Sequence, residues 1–274
     1  MITKKYYKLI RVSHADEEYL RITNISNEAG TFSITRGTGA YTQNIEYSLD
    51  GVTWNSYDVT NPINVTVIQN ANIYFRGNNP NGLGNGGNAT YLTFNFDKDF
   101  IIGGNIMSIC DTTLTSMPNY CIYRLFENNT HLISISNVNF GIVTSLGNRV
   151  LAECFKGCTS LTDTFYLSDI TSVGAYCFLD TFNGCSSLTT GLDLRQVTTA
   201  GSHCLEHTFY DCIKLSTVTA PNISDLTQNN ILYAWLDRAG TSATGTKVVN
   251  VPTGATITTN SPSGIPSGWT RVDY

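Results

Sequence analysis

Eight cysteines, four histidines and a few closely spaced carboxylates are the residues of this chain with chemistry to offer. Cys154 and Cys158 stand four apart, a tolerable spacing for metal ligands. No second pair follows at a finger-like distance. His203-Cys204-Leu205-Glu206-His207 sets two histidines four apart around a glutamate, but a zincin needs Glu directly after the first His. Asp97 and Asp99 flank Lys98 and, on a strand, would share one face. That geometry serves acid–base work or calcium, and a solvated strand face is the plainer reading. The Gly/Asn-rich stretch from Gly77 to Asn88 lacks the Gly-Lys-Ser/Thr ending of a phosphate cradle and lies between strands. It reads as a mobile β-loop, free to touch a partner. No Gly-x-Ser-x-Gly element is present and no Ser or Cys nucleophile stands out. The Asn-x-Ser/Thr sequons at Asn24, Asn64 and Asn128 matter only in a secretory pathway. The expectation is a protein that is not an enzyme, with no cofactor and no metal.

The elements that carry these residues are organised by a repeat. Tyr176-Cys177-Phe178-Leu179-Asp180-Thr181-Phe182-Asn183-Gly184-Cys185-Ser186-Ser187-Leu188 is echoed from His203 to Leu215, around Phe155, Cys158 and Leu161, and more faintly around Tyr120, Cys121, Phe126 and Leu132. The aromatic anchors are Phe126, Phe155, Phe182, Phe209 and, in a last degenerate copy, Trp235, at spacings of 29, 27, 27 and 26. A period in the twenties is that of a leucine-rich repeat coil, whose apolar edge is buried only by stacking on its neighbours. Most of the cysteines fall into two repeat columns, Cys121/Cys177/Cys204 and Cys158/Cys185/Cys212. They are expected as reduced, buried thiols acting as small hydrophobes. His203 occupies the column of Tyr120 and Tyr176 and is expected to pack. His207 occupies that of Arg124, Glu153 and Asp180 and is expected to face solvent.

Within each unit, the apolar spacing from Cys177 to Phe182 predicts a short helix with Gly184 as its stop. Alternation predicts strands at Leu192–Arg195 and, one unit earlier, Phe165–Ser168. Upstream, Tyr19–Ile22, Thr31–Ile34, Ile63–Val67, Ile73–Phe75 and Tyr91–Phe96 read as strands. Asp50-Gly51 reads as the turn of a hairpin from Ile45–Leu49 to Val52–Trp54. Val248–Val251 is expected as a final strand, and Ser263–Trp269 as a loop laying Trp269 over the last coil. The fold expected is mostly β (α+β): an N-terminal β-sandwich-like domain over 1–110, a leucine-rich repeat solenoid of four to five coils over 111–240, and a C-terminal cap over 241–274.

Composition narrows the partners. Charged residues are 14% of the chain and the net charge is −5, so no basic stripe for nucleic acid is expected. No run of apolar residues is long enough to insert in a membrane. The opening Met1–Lys8 is basic, but no apolar stretch follows it before Arg11, Asp16 and Glu17, so no export signal is expected.

The Phe-x-x-Cys-x-x-Leu elements at Phe155/Cys158/Leu161, Phe182/Cys185/Leu188 and Phe209/Cys212/Leu215 resemble those of the BspA-like leucine-rich repeat family. The flanking phrases Tyr47–Trp54, Gly103–Ser108 and Gly264–Trp269 are similar to an arrangement found in proteins of gut Bacteroidetes and of their tailed phages. The resemblance implies adhesion without catalysis. It points to a virion component, a fibre, spike or decoration protein. The alternatives are a bacterial cell-surface adhesin and a glycan-active enzyme within the β domain. The N-terminal unit would dock to other virion proteins or pair with copies of itself. The strand face of the repeats would meet a host-surface glycan or protein. The positions alternating with buried leucines on that face are Asn137, Asn139, Tyr166, Ser168, Asp193, Arg195 and Asn222.

Overall fold

The computed structural model describes residues 14–39, 43–84 and 90–274. The basic opening Met1–Lys8 and the last four residues of the Gly/Asn stretch, 85–88, lie outside the described residues. The chain is mostly β, in four sheets among the described residues. The N-terminal part holds a five-residue helix, His14–Glu18, and strands β1 (Leu20–Asn24), β2 (Gly30–Arg36), β3 (Ile45–Ser48), β4 (Asn55–Tyr57), β5 (Val65–Val67), β6 (Asn72–Gly77), β7 (Leu92–Phe96) and β8 (Phe100–Asn105). A 3-10 turn, Ile106–Ile109, follows. The rest holds β9 (Ser116–Met117), β10 (Leu132–Asn139), β11 (Ser145–Leu146), β12 (Ser172–Val173), β13 (Thr190–Asp193), β14 (Thr199–Ala200), β15 (Thr217–Thr219), β16 (Lys247–Val251) and β17 (Trp269–Asp273).

In the N-terminal part, a three-stranded sheet (β5-β2-β7) faces the larger sheet β10-β8-β1-β6-β3-β4. Alternation of buried and half-buried residues along β1 and β2 puts Leu20, Ile22, Phe32 and Ile34 inside. Phe32, Phe75 and Phe94 meet there, with ring centroids 4.7 Å, 4.9 Å and 5.4 Å apart. Tyr57 reaches the same core and pins it: its hydroxyl donates to the Ile63 carbonyl and accepts from the Ile34 N–H. β10 pairs in parallel with β8, so one hydrophobic core runs unbroken from the N-terminal sheets into the repeats.

The expected hairpin is present but its partner strand is different. β3 pairs with Asn55–Tyr57, not with Val52–Trp54. The Asp50 carboxylate accepts the N–H groups of Val52 and Thr53, and Ser48 Oγ accepts that of Gly51. Donors so engaged locally are lost to a ladder.

The helix expected from Cys177 to Phe182 does not form. Instead the stretch is a run of four-residue turns with a left-handed residue at every fourth position: Tyr176 (φ 55°), Asp180 (53°) and Gly184 (77°). The same period holds at Tyr120/Arg124/Asn128, Arg149/Glu153/Gly157, His203/His207/Asp211 and Asn230/Ala234/Arg238. Alternate N–H groups close the turns, as in Leu179 to Tyr176 O and Thr181 to Phe178 O. The others cross to the next layer, as in Phe178 to Cys204 O, Asp180 to Glu206 O and Phe182 to Thr208 O. The backbone thereby satisfies itself between layers, an option an isolated helix lacks. Helical and turn-run packing both bring every third or fourth side chain inward, so the apolar pattern alone does not tell them apart.

The inward columns are strict. Phe126, Phe155, Phe182 and Phe209 stack at 5.6 Å between centroids, within 7° of parallel. Cys158, Cys185 and Cys212 each donate Sγ–H to the carbonyl of the preceding layer's phenylalanine, at 3.0–3.2 Å. Asn129 takes that role in the first layer, with its Nδ2 donating to Phe94 O. Phe94 N–H in turn donates to Leu125 O, so β7 acts as the layer before the first. At the far end the backbone register moves the anchor by one. Phe209 N–H meets Trp235 O, which aligns Leu236, not Trp235, with the phenylalanine column and keeps the period at 27. Trp235 fills the Thr208 column, and its indole N–H donates to Gly264 O. The last layer's other donors find Pro262 O and Ser263 Oγ. Val248–Val251 lies within β16, yet β16 is not the last strand, because β17 pairs beside it and carries the buried Trp269.

Candidate functional site

The repeats expose two strand-bearing edges. One is a regular ladder of two-residue strands, β9-β11-β12-β14. The other carries β10, β13, β15, β16 and β17. Six of the seven predicted positions line hollows there, and all seven are exposed. This second edge is interrupted where the sequence predicts a strand at Phe165–Ser168. The segment makes none. Asp163 Oδ1 accepts the Ile135 N–H at 2.8 Å and Asp163 Oδ2 accepts from Ser134 Oγ, so a side chain occupies the place of a backbone carbonyl. Across the other flank Thr164 Oγ1 donates to Gly191 O at 3.2 Å. β10 slips register twice against β8 over the same stretch. Phe165 and Leu167 still point inward, while Tyr166 stands 73% exposed.

Two adjoining hollows result, divided by Tyr166. The first, about 270 Å³, brings together Asn137, Asn139, Tyr166 and Ser168, with Asp169 beside them. The second, about 410 Å³, brings together Tyr166, Asp193 and Arg195 with Asp163, Thr190 and Asn250. Asn222 lines neither; its backbone N–H is tied to Val197 O. Sequence reasoning missed Asp163 and Asn250. Asp163 is the residue two places after Leu161, where the neighbouring units have Ser134, Thr190 and Thr217, and a carboxylate in a hydroxyl column was its only signal. Asn250 arrives from β16, far along the chain, and no local pattern marks it.

The charges in the second hollow are largely balanced. Arg195 Nε meets Asp193 Oδ1 at 3.0 Å, and that hydrogen bond, with the attraction behind it, holds the guanidinium above its ordinary pKa. The guanidinium carbon also lies 5.3 Å from the Tyr274 ring. Tyr274 donates to Ala220 O at 3.0 Å, and burial, helped by the nearby Asp193 charge, pushes its phenol up to about 12. Asn250 Nδ2 is engaged by Val218 O and Thr219 Oγ1. The surface offers amides, hydroxyls, one aromatic face and a neutralised ion pair, a set that suits a polar ligand of low charge.

The other chemistry-bearing residues are placed apart from these hollows. Asp97 and Asp99 lie in the turn between β7 and β8, not on a strand face. Asp97 accepts from the Thr31 N–H, and Asp99 pairs with His131 at 3.0 Å. His203 stacks on Tyr176 at 5.0 Å and bonds Glu206, while His207 approaches Asp180 at 3.9 Å. Among the described residues no three His, Cys, Asp or Glu side chains converge as metal ligands. All eight cysteines are buried unbridged thiols, and burial raises the thiol pKa of Cys154, Cys158, Cys177 and Cys212, and that of Cys204 to about 12. The described part of the Gly/Asn stretch, 77–84, is no free loop. Asn79 and Leu83 are buried, and Leu83 N–H donates to Cys121 O, closing over the first layer. Among the described residues no helix is long and apolar enough to cross a membrane.

No protein-family model, no curated protein and no solved structure matches this chain.

Proposed function

We propose that the chain is a non-enzymatic recognition protein whose repeats form a leucine-rich-repeat-type solenoid, working as a tailed-phage virion component that meets the host surface. The N-terminal sheets serve as the docking end, towards other virion proteins or further copies of the chain. The hollowed edge around Tyr166 meets a host glycan or surface protein. One observation carries the reading. On a repetitive scaffold, the departure at Asp163, with the register slips of β10, adjoins two polar hollows lined by six of the seven residues expected to bind. A rigid backbone presenting an exposed tyrosine between amide- and hydroxyl-lined depressions has little ordering entropy to lose on binding. The repeat motif and the flanking phrases that resemble proteins of gut Bacteroidetes and their phages supply the biological setting. The net charge of −5 disfavours nucleic acid as the partner.

The test combines location and binding. Mass spectrometry of purified virions should recover the chain in stoichiometric amount, and an antibody to residues 120–240 should mark an appendage or the shell. Label on intact bacterial cells instead would replace the virion by the cell surface. The combined change Tyr166→Ala, Asp193→Ala and Arg195→Ala should reduce host binding at least tenfold and leave the folded state intact, since all three side chains are exposed. Unchanged host binding would remove this edge from consideration. New reducing ends on host polysaccharide incubated with the protein would overturn the non-enzymatic assignment.

A further inference from the structure

We infer that Cys110 and Cys121 form a redox-responsive pair, closed to a disulfide by an external disulfide of the glutathione class, which covalently ties the N-terminal sheets to the first repeat layer. Their Sγ atoms lie 3.0 Å apart in a fully buried contact. Roughly 1 Å of further approach reaches the ~2.05 Å of a covalent bond. Both backbones are already held for it. Cys110 ends the 3-10 turn Ile106–Ile109 with its N–H on Met107 O, and Cys121 N–H is on Pro118 O. One loop then clamps both: Asn79 N–H donates to Cys110 O at 2.7 Å, and Leu83 N–H to Cys121 O at 2.8 Å. The loop lies so close that a Cβ added at Gly82 would sit 2.6 Å from Cys121 Cα.

The contrast with the repeat cysteines sharpens the assignment. Cys158, Cys185 and Cys212 have a main-chain carbonyl as partner. Cys110 and Cys121 have each other. Cys110 is outside the repeat columns, so the demands of stacking do not explain a cysteine there. It also borders a surface hollow of about 230 Å³ with Tyr19, Arg76 and Asp111, which leaves a short path to solvent.

The chemistry balances with the named oxidant. The thiolate of one cysteine attacks the external disulfide, forms a mixed disulfide and releases one thiol. The second cysteine then attacks the protein-bound sulfur and releases the second thiol. Two S–H bonds are lost, one S–S bond forms, and two electrons pass to the reagent. The hydrogen bond from Cys121, together with burial, holds the Cys110 thiol well above its ordinary pKa. Closure is therefore slow in the folded state and proceeds through local opening or during folding.

Peptide mapping reads the pair directly. Cys110 and Cys121 share one tryptic peptide, Asp99 to Arg124, because no Lys or Arg intervenes. After refolding the full chain with oxidised and reduced glutathione, then unfolding and alkylating it, this peptide should be unalkylated and lighter by two hydrogens. The other six cysteines should be alkylated. The oxidised chain should melt about 5 °C above the reduced one, the rise expected of a short loop closed in a chain of this size. Cys121→Ser should lose that difference. Two alkyl groups on the Asp99–Arg124 peptide after refolding, or pairing of either cysteine with one from the repeat columns, would overturn the inference. The mapping is made on the unaltered chain and does not depend on a variant folding.

Discussion

The two strand-bearing edges of the repeats are built from the same chain at the same period, yet they differ in kind. Along β9-β11-β12-β14, Ser116, Ser145, Ser172 and Thr199 sit in unbroken parallel register. Thr115, Thr144, Thr171 and Thr198 precede them, each N–H from Thr144 onward donating to the previous threonine's carbonyl. The threonine N–H groups from Thr144 to Thr198 all meet main-chain carbonyls, and the asparagines that follow the strands continue the ladder, with Asn148 N–H on Asn119 Oδ1 and Ala175 N–H on Asn148 Oδ1. On the opposite edge Asp163 replaces one such acceptor with a side chain, β10 slips register and Tyr166 turns out to solvent. Repetition builds the scaffold, and the departure from it makes the candidate site. Both edges depend on one shared core, the phenylalanine and cysteine columns between them.

The largest effect should come from that core. Phe182 is fully buried between Phe155 and Phe209. Phe182→Ala should cost about 3–5 kcal/mol of stability in urea unfolding and damage both edges equally. A loss confined to the hollowed edge would break the idea of a common core. Next comes Asp163→Ala, which leaves the Ile135 N–H and Ser134 hydroxyl without their acceptor. It should cost about 1–3 kcal/mol and disturb ligand binding, while hydrogen exchange along β9-β11-β12-β14 stays protected. Equal loss of protection on both edges would show that the two are not separable. The smallest effect carries the most information about sign. Gly184 has φ of 77° and nothing within 3.8 Å of an added Cβ, so only its backbone conformation resists substitution. Gly184→Ala should destabilise by about 1–2 kcal/mol, as expected for a left-handed position. A gain in stability would instead show that position 184 is not held in the left-handed conformation.

The reach of the sequence can be followed residue by residue. The columns of Phe126, Phe155, Phe182 and Phe209 and of Cys158, Cys185 and Cys212 were legible because a stacked layer must repeat what it buries. So were the main strands of the N-terminal sheets, through alternation. The turn runs were not legible. Their mark is a positive φ at Tyr176, Arg149 or Glu153, residue types with no particular affinity for that conformation. Neighbouring layers hold them there by taking the alternate N–H groups. The one-residue offset that puts Leu236 in place of Trp235 was hidden for the same reason, since register is set by bonds between layers.

By itself, then, the sequence determined the period, the buried columns, the mostly β character and which side chains on one edge face outward. These follow from side-chain chemistry at fixed spacing. Only the tertiary structure decided that Asp163 interrupts the ladder, that Tyr166 divides two hollows, that Asn250 joins Asp193 and Arg195, and that Cys110 meets Cys121 across the junction. The first three are contacts between distant segments, and the cysteine pair, though only eleven residues apart, is positioned by the loop from Asn79 to Leu83. Their geometry is set by hydrogen bonds to other segments, and no local pattern of residue types encodes them.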